Sequence, residues 1–303
     1  MQVIFLGTSG GIPTARRSLP AIAIKRGAEL ILFDCGEGTQ RQMILAKVGF
    51  CRKTRIFITH MHGDHVLGLP GLFQTMSMLG RTNRLDIYGP PGIRNFVEAI
   101  MQTVRFTLTF PIATYEVEEG IAYRNREYEV YAAWVDHSVP TLAYALVEKE
   151  RPGKFYPEKA KKLGVPEGPL WAKLKRGEEI RLHDGRMINP KEVVGPPRLG
   201  RKIAYSSDTK KTDTIVNLAK NADLLIHEAT LDDKLKEKAE EDSHSTAGQA
   251  AEIAAKAKVK HLFLFHISAR YEDPSILLEQ ASKVFKHVQV AEDLMKVEVP
   301  YSE

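Results

Sequence analysis

Cysteine is almost absent from this chain of 303 residues: there are two, Cys35 and Cys51. Two isolated thiols build no disulfide framework, and a chain this long can bury a full core without one. A reducing compartment is expected. No run approaches the roughly 18 apolar residues that a membrane-crossing helix needs, which excludes that class of protein. The first residues, Met1-Gln2-Val3-Ile4-Phe5-Leu6-Gly7, have neither the basic start nor the long apolar stretch of a secretory signal, so the expected location is the cytoplasm. Internal repeats and low-complexity tracts are missing too, which argues against solenoids and biased tails. Charge of one sign is barely in excess, with 43 Lys plus Arg against 38 Asp plus Glu. That balance alone selects no polyanionic partner; where the charge sits matters more.

What is present is a pattern of short apolar runs. Residues 3–6 read as a buried strand entering the Gly7-Thr8-Ser9-Gly10-Gly11 loop, 21–24 and 30–33 as a hairpin, and 55–59 and 85–88 as further strands. Helical spacing follows at 39–48 and 93–103. The middle of the chain is β-rich, clearest at 127–134 and 141–147. The last third alternates strands at 202–205, 224–227 and 261–265 with helices at 213–220, 247–256 and 275–285. Two packed sheets with helices on their outer faces satisfy this order, in one domain spanning 1–303.

One segment departs from it. Residues 149–186 are punctuated by Pro152, Gly153, Pro157, Gly164, Pro166, Gly168, Pro169 and Gly177 and show little apolar periodicity. They hold eleven Lys or Arg against six Asp or Glu, an excess equal to that of the whole chain. A segment of this length without regular pattern is expected to be either functional or disordered.

The strongest chemical signal is Thr59-His60-Met61-His62-Gly63-Asp64-His65, directly after an apolar strand. Imidazole and carboxylate are preferred Zn²⁺ ligands. His60 and His62 share a side of an extended segment, while Asp64 and His65 follow Gly63 where the chain turns into a helix. One loop can thus serve two neighbouring cations. The remaining ligands are sought at probable strand ends: His137, Asp208 and His266. Among the other histidines, His183 is expected in solvent, His287 at a polar helix end, and His261 as a capped core residue. In His227-Glu228-Ala229-Thr230, Glu228 is the more chemically suggestive member.

His60-Met61-His62-Gly63-Asp64-His65 resembles the HxHxDH motif of the metallo-β-lactamase superfamily. The resemblance runs from Phe5-Leu6-Gly7-Thr8-Ser9-Gly10-Gly11 through Phe33-Asp34-Cys35-Gly36-Glu37-Gly38 and Tyr205-Ser206-Ser207-Asp208-Thr209 to Leu264-Phe265-His266. It implies an α+β fold, a four-layer αβ/βα sandwich with a protruding flexible arm. It implies two Zn²⁺ per subunit: His60, His62 and His137 on one, Asp64, His65 and His266 on the other, and Asp208 bridging. Mn²⁺ or Fe²⁺ would suit such N/O ligands as well.

Three features narrow the resemblance to the ribonuclease Z family. His227-Glu228-Ala229-Thr230 and His244-Ser245-Thr246 resemble its HEAT and HST motifs, implying His244 as the acid for the leaving 3′ oxygen and Glu228 as the group that orients it. Leu163-Gly164-Val165-Pro166-Glu167-Gly168-Pro169-Leu170-Trp171 with Leu174-Lys175-Arg176-Gly177 resembles its tRNA-gripping arm. That resemblance marks Lys154, Lys161, Lys162, Lys173, Lys175 and Arg176 as substrate contacts and implies a homodimer in which one subunit's arm serves its partner. Pro13-Thr14-Ala15-Arg16-Arg17-Ser18 partly matches a substrate-contacting loop, with Ser18 where Asn is usual, which marks Arg17; Arg270 resembles a contact to the scissile phosphate. The implied activity is a zinc-dependent endoribonuclease that removes the 3′ trailer of precursor tRNA, with Asp64 both ligating and taking the nucleophile's proton. The alternatives are a phosphodiesterase for small or cyclic phosphodiesters, which would have no use for the arm, a thioester or lactam hydrolase, which would not explain the Glu228–His244 pair, and a non-enzymatic RNA-binding scaffold.

Overall fold

The structure, a computed structural model, describes residues 1–50 and 52–301; Cys51 therefore lies outside the described residues. The chain divides into two compact units. The first comprises Met1–Asn125, Glu129–Val147 and Lys202–Pro300, and the second is built on Arg126–Tyr128 and Glu148–Arg201.

The first unit contains two seven-stranded sheets. In one, the strands lie in the order Lys296–Glu298, Gln2–Gly7, Ala21–Arg26, Glu29–Phe33, Lys53–Phe57, Leu85–Gly89 and Ile112–Glu116, the last four running parallel. In the other the order is Val288–Val290, His261–Phe265, Leu224–Glu228, Lys202–Tyr205, Thr141–Glu148, Tyr128–Val135 and Gly120–Arg124, the first four parallel.

Period-two alternation makes the layers. Ile4, Leu6, Leu32 and Ile56 leave the first sheet on one side and join Met43, Leu72, Phe73 and Val97 from the helices Thr39–Ala46, Leu69–Met78 and Ile93–Thr103. Phe5, Phe33 and Phe57 leave on the other side, towards the second sheet. Phe33 stacks on Tyr144 at 5.8 Å between ring centres, and Phe5 lies 5.2 Å from Phe263. The outer face of the second sheet, with Ala145, Ala204, Leu225 and Leu262, packs on the alanine-rich helix Ala247–Ala257 and on Ser275–Val284. The result is the expected αβ/βα sandwich. Among the described residues no helix is long and apolar enough to cross a membrane. Cys35 is wholly buried, and burial pushes its thiol up to about 12, so it acts as a small core hydrophobe.

The helix Leu69–Met78 is invisible to periodicity because Pro70 and Gly71 occupy its first turn. Proline is tolerated there since that N–H has no intrahelical partner anyway. The second unit also differs from the structureless segment expected. It holds short helices at Pro157–Lys162, Pro169–Lys175 and Pro190–Val193, and a hairpin pairing Ile180 with Ile188. Ala160, Val165, Leu174, Ile180, Ile188 and Val193 form its own small core. Helices of one or two turns present too few apolar positions for a period to emerge, and the closely spaced prolines mark their starts.

A fold test follows from the intersheet aromatics. Phe33→Ala should cost about 3–5 kcal/mol of unfolding free energy in a denaturant titration, because a fully buried ring leaves a cavity between two sheets.

Candidate metal centre

The parallel strands of both sheets end at one edge, and the residues that follow those ends build the site. Asp34 follows Glu29–Phe33, the His60–His65 loop follows Lys53–Phe57, Asp208 follows Lys202–Tyr205, Glu228 closes Leu224–Glu228, and His266 follows His261–Phe265. Open α/β sheets place ligands outside the carboxyl ends of their strands for this geometric reason.

Two donor sets converge. His60, His62 and His137 bring ligand atoms within 4.8 Å of one another, as do Asp64, His65, Asp208 and His266. In the first set His62 Nδ1 lies 3.1 Å from His60 Nε2 and 3.3 Å from His137 Nε2. In the second, Asp208 Oδ2 lies 3.1 Å from His266 Nε2 and 3.4 Å from His65 Nε2. The same oxygen reaches to 3.8 Å from His60 Nε2, so Asp208 faces both sets. All seven ligand positions expected from the sequence thus come together, from segments more than 200 residues apart.

The outer hydrogen bonds aim the rings. His137 Nδ1 donates to the Ser243 carbonyl at 2.9 Å, and His65 Nδ1 donates to Asp34 Oδ2 at 2.8 Å, leaving each Nε2 lone pair turned inward. In the sequence Asp34 stands out only as a member of the Phe33–Gly38 motif, which assigns it no role in the site. Buried at the end of its strand with φ of 59°, it also accepts from the Thr59 amide, the Thr59 hydroxyl and the Tyr205 phenol. Its local signal is a carboxylate directly after an apolar strand and two residues before a glycine.

Gly10 and Gly36 permit the close approach. A Cβ at Gly10 would sit 2.6 Å from His266 Nδ1, and one at Gly36 would sit 2.4 Å from the Asp64 carbonyl. Gly11 donates its amide to Asp64 Oδ2 at 3.0 Å.

The donor set fits a metal. His65 Nε2 and Asp208 Oδ1 are buried without hydrogen-bond partners, a cost that native interiors rarely leave standing. Lone pairs of His65 and His266 face carboxylate oxygens, acceptor against acceptor, an arrangement that a cation between them resolves. Burial holds His60 and His62 below the ordinary histidine value, helped by their neighbouring imidazoles, so both present neutral ligating rings. Burial opposes ionisation of Asp64 and Asp208, but the adjacent histidines hold both well below the usual carboxylate range. The edge of the sandwich is therefore a metal-binding site made of imidazole and carboxylate.

Beside it stands a second device. Glu228 is fully buried and accepts from His244 Nδ1 at 2.9 Å, the Thr209 amide at 2.6 Å and the Ser245 amide at 3.1 Å. Burial disfavours charge on His244, but the Glu228 carboxylate, by charge and hydrogen bond, lifts it to about 9. Thr230 joins the device to the metal set. Its hydroxyl donates to Glu228 Oε2 at 2.7 Å and accepts from His266 Nδ1 at 2.9 Å, which turns His266 Nε2 towards Asp64 and Asp208. The sequence reading gave Thr230 no role.

Elsewhere the placement is mixed. His227 is buried and donates to the Glu228 carbonyl. His261, expected in the core, is exposed at a strand start, 5.8 Å from exposed His287. His183 is exposed. Arg17 is tethered, its Nη1 donating to Thr8 Oγ1 at 2.7 Å and to the Ala291 carbonyl at 2.6 Å. Arg270 is exposed, with Nε on Ser268 Oγ at 3.2 Å. In the second unit Lys161 pairs with Glu167, Arg176 with Glu178, and Lys175 lies over the Phe155 ring. Lys154, Lys162 and Lys173 form no ion pair among the described residues.

Comparison with known proteins agrees with this geometry. Residues 192–267 match the family described as a Beta-lactamase superfamily domain, and residues 1–101 the one described as Anti-Pycsar protein Apyc1. The chain is 50% identical over 299 residues to a protein of Methanothermobacter thermautotrophicus named Ribonuclease Z, covering 99% of this chain and 97% of the relative. A protein of that name from Haloferax volcanii is 46% identical over 306 residues, covering 100% and 96%. Among solved structures, human tRNase Z, short form, superposes with a TM-score of 0.73 at 30% identity, covering 99% of this chain and all of that one.

Thr230 yields a prediction. Thr230→Val should lower metal affinity about 10- to 100-fold, since it removes the acceptor that orients His266, whereas Thr230→Ser should retain it. Competition with a chromophoric chelator reads both.

Proposed function

The chain belongs to the ribonuclease Z family, and we propose that it is the zinc-dependent endoribonuclease that cuts precursor tRNA at its 3′ trailer. The observation that carries this reading is the juxtaposition of two cation-binding sets with the buried Glu228–His244 pair. A metal site alone serves many hydrolyses, but a poor alkoxide leaving group needs an acid as well.

His60, His62 and His137 would hold one Zn²⁺, Asp64, His65 and His266 the other, and Asp208 would face both. Bound there, the cations supply Lewis acidity, lowering the pKa of water towards about 7 and offsetting charge on phosphate oxygens. Asp64 Oδ2, steadied by the Gly11 amide, takes the proton of the attacking water. His244 enters protonated and gives its proton to the departing 3′ oxygen, while Glu228 holds the ring and its charge. By its resemblance to the family's arginine, Arg270 would meet the scissile phosphate. The products are tRNA ending in 3′-OH and a trailer bearing a 5′-phosphate. The unpaired lysines of the second unit, Lys154, Lys162 and Lys173, are suited to gripping phosphates without reading bases. A small or cyclic phosphodiester would leave them idle, which favours the tRNA reading over that alternative. Family resemblance extends the proposal to a homodimer, and cysteine usage to the cytoplasm.

The test is cleavage of a precursor tRNA by the zinc-loaded protein, with both new ends mapped. No cut at the trailer junction overturns the reading, and Asp64→Ala should abolish the cut. The pH profile carries the acid assignment. A histidine raised to about 9 stays protonated below that pH, so turnover should fall only as pH climbs through it. Glu228→Gln removes the stabilising charge and should move that alkaline limb to lower pH. Neutralising Lys162 and Lys173 together should weaken precursor binding and reduce the salt dependence of log K by about one per lost phosphate contact.

A further inference from the structure

His244 owes its place to the end of a helix. The short helix Lys236–Glu241 stops at Asp242, and two backbone bonds close it. The Ser243 amide donates to the Glu240 carbonyl at 3.3 Å, and the His244 amide to the Ala239 carbonyl at 2.7 Å. This paired closure needs its first residue in the left-handed region, and Ser243 has φ of 60°. The same two bonds close Leu69–Met78 and Pro157–Lys162, where the left-handed residue is Gly80 or Gly164. Glycine meets no penalty there, whereas any side chain brings its Cβ against the following carbonyl. The chain thus carries strain at the residue directly before His244. Such strain persists only where the surroundings over-determine it.

The surroundings do so here. The Ser243 carbonyl accepts from His137 Nδ1 at 2.9 Å, which leaves His137 Nε2 turned to His62 Nδ1, 3.3 Å away. One residue on, His244 Nδ1 donates to Glu228 Oε1 at 2.9 Å. Ser245 donates its amide to Glu228 Oε2 at 3.1 Å and its hydroxyl to the Thr209 carbonyl at 2.6 Å, next to Asp208. Thr246 then caps the helix Ala247–Ala257, its hydroxyl accepting from the Gln249 amide and donating to Asp233 Oδ1. Residues 243–246 are therefore fixed between the C-terminus of one helix and the N-terminus of the next. An extended or right-handed Ser243 breaks the helix closure, turns its carbonyl away from His137 and swings His244 off Glu228.

We infer that Ser243 is a positioning residue whose left-handed backbone aims a metal ligand and the acid together: its carbonyl orients His137, and its turn delivers His244 to Glu228. Neither role uses the serine hydroxyl. Cation binding at the His60, His62 and His137 set and placement of the acid are then two outcomes of one backbone conformation. The His137 half rests on the metal site alone; the His244 half rests on the tRNA-cleaving reading above.

The experiment is a series at this position, Ser243→Gly, Ser243→Asn, Ser243→Ala and Ser243→Val, in falling order of tolerance for the left-handed region. Chelator competition reads zinc affinity, and single-turnover cleavage of a precursor tRNA separates the rate of the cut from precursor binding. Ser243→Gly and Ser243→Asn should match the wild type in every readout. Ser243→Val should weaken one zinc equivalent about 10- to 100-fold and spare the other, slow the cut by a similar factor and leave precursor affinity unchanged, with Ser243→Ala in between. If the valine variant does not fold, the other three still decide the ranking. A series without that ranking overturns the inference, as does a glycine or asparagine variant that loses zinc, because the hydroxyl then matters and the backbone does not. Zinc affinity and cutting rate that move independently along the series overturn the shared control. Failure of the wild type to cut any precursor strikes the ribonuclease reading instead, while the zinc ranking still tests the hold on His137.

Discussion

A single buried carboxylate holds the active edge of this molecule together. Asp34 lies at the end of a strand of the first sheet and accepts from the Thr59 amide and hydroxyl, the His65 ring and the Tyr205 phenol of the second sheet. A charge with no exposure is tolerable only while every partner is in place. Its burial therefore makes the positions of the histidine loop and of both sheets depend on one another. The ring that it aims, His65, is the one whose free nitrogen faces Asp208. Metal geometry and sheet packing are in this way one structural fact.

The second carboxylate-centred assembly repeats the principle with a different outcome. Asp34 orients a ligating imidazole, whereas Glu228, equally buried, holds an imidazole in its protonated form. The difference lies in surroundings. His65 has its second nitrogen among two carboxylates that could hold a cation, while His244 is partly open to solvent and leans on one acid. Thr230 spans the two assemblies with one hydroxyl. Orientation of a metal ligand and retention of the acid's partner are thereby coupled through a group that carries no charge of its own.

Any grip on a nucleic acid strand would rest on ordinary surface residues. Unpaired lysines of the small unit suit phosphate contacts, which hold a strand whatever its bases.

Much of this was legible in the chain. Short apolar runs marked most strands of both sheets, and the His60–His65 cluster announced a cation site because ligand types packed that densely have few other uses. His137, Asp208 and His266 were found by their place after apolar runs. The helix Leu69–Met78 escaped because Pro70 and Gly71 disguise its first turn, and the small unit escaped because its helices are too short to show a period. Asp34 and Thr230 escaped for a deeper reason. Each acts through partners remote in the chain, and a carboxylate or hydroxyl carries no mark of which distant donor it will meet. The sequence by itself determined which residues could ligate, donate or bury. Only the tertiary structure decided which of them face one another, since hydrogen bonds and shared cavities are relations in space that spacing along a chain does not encode.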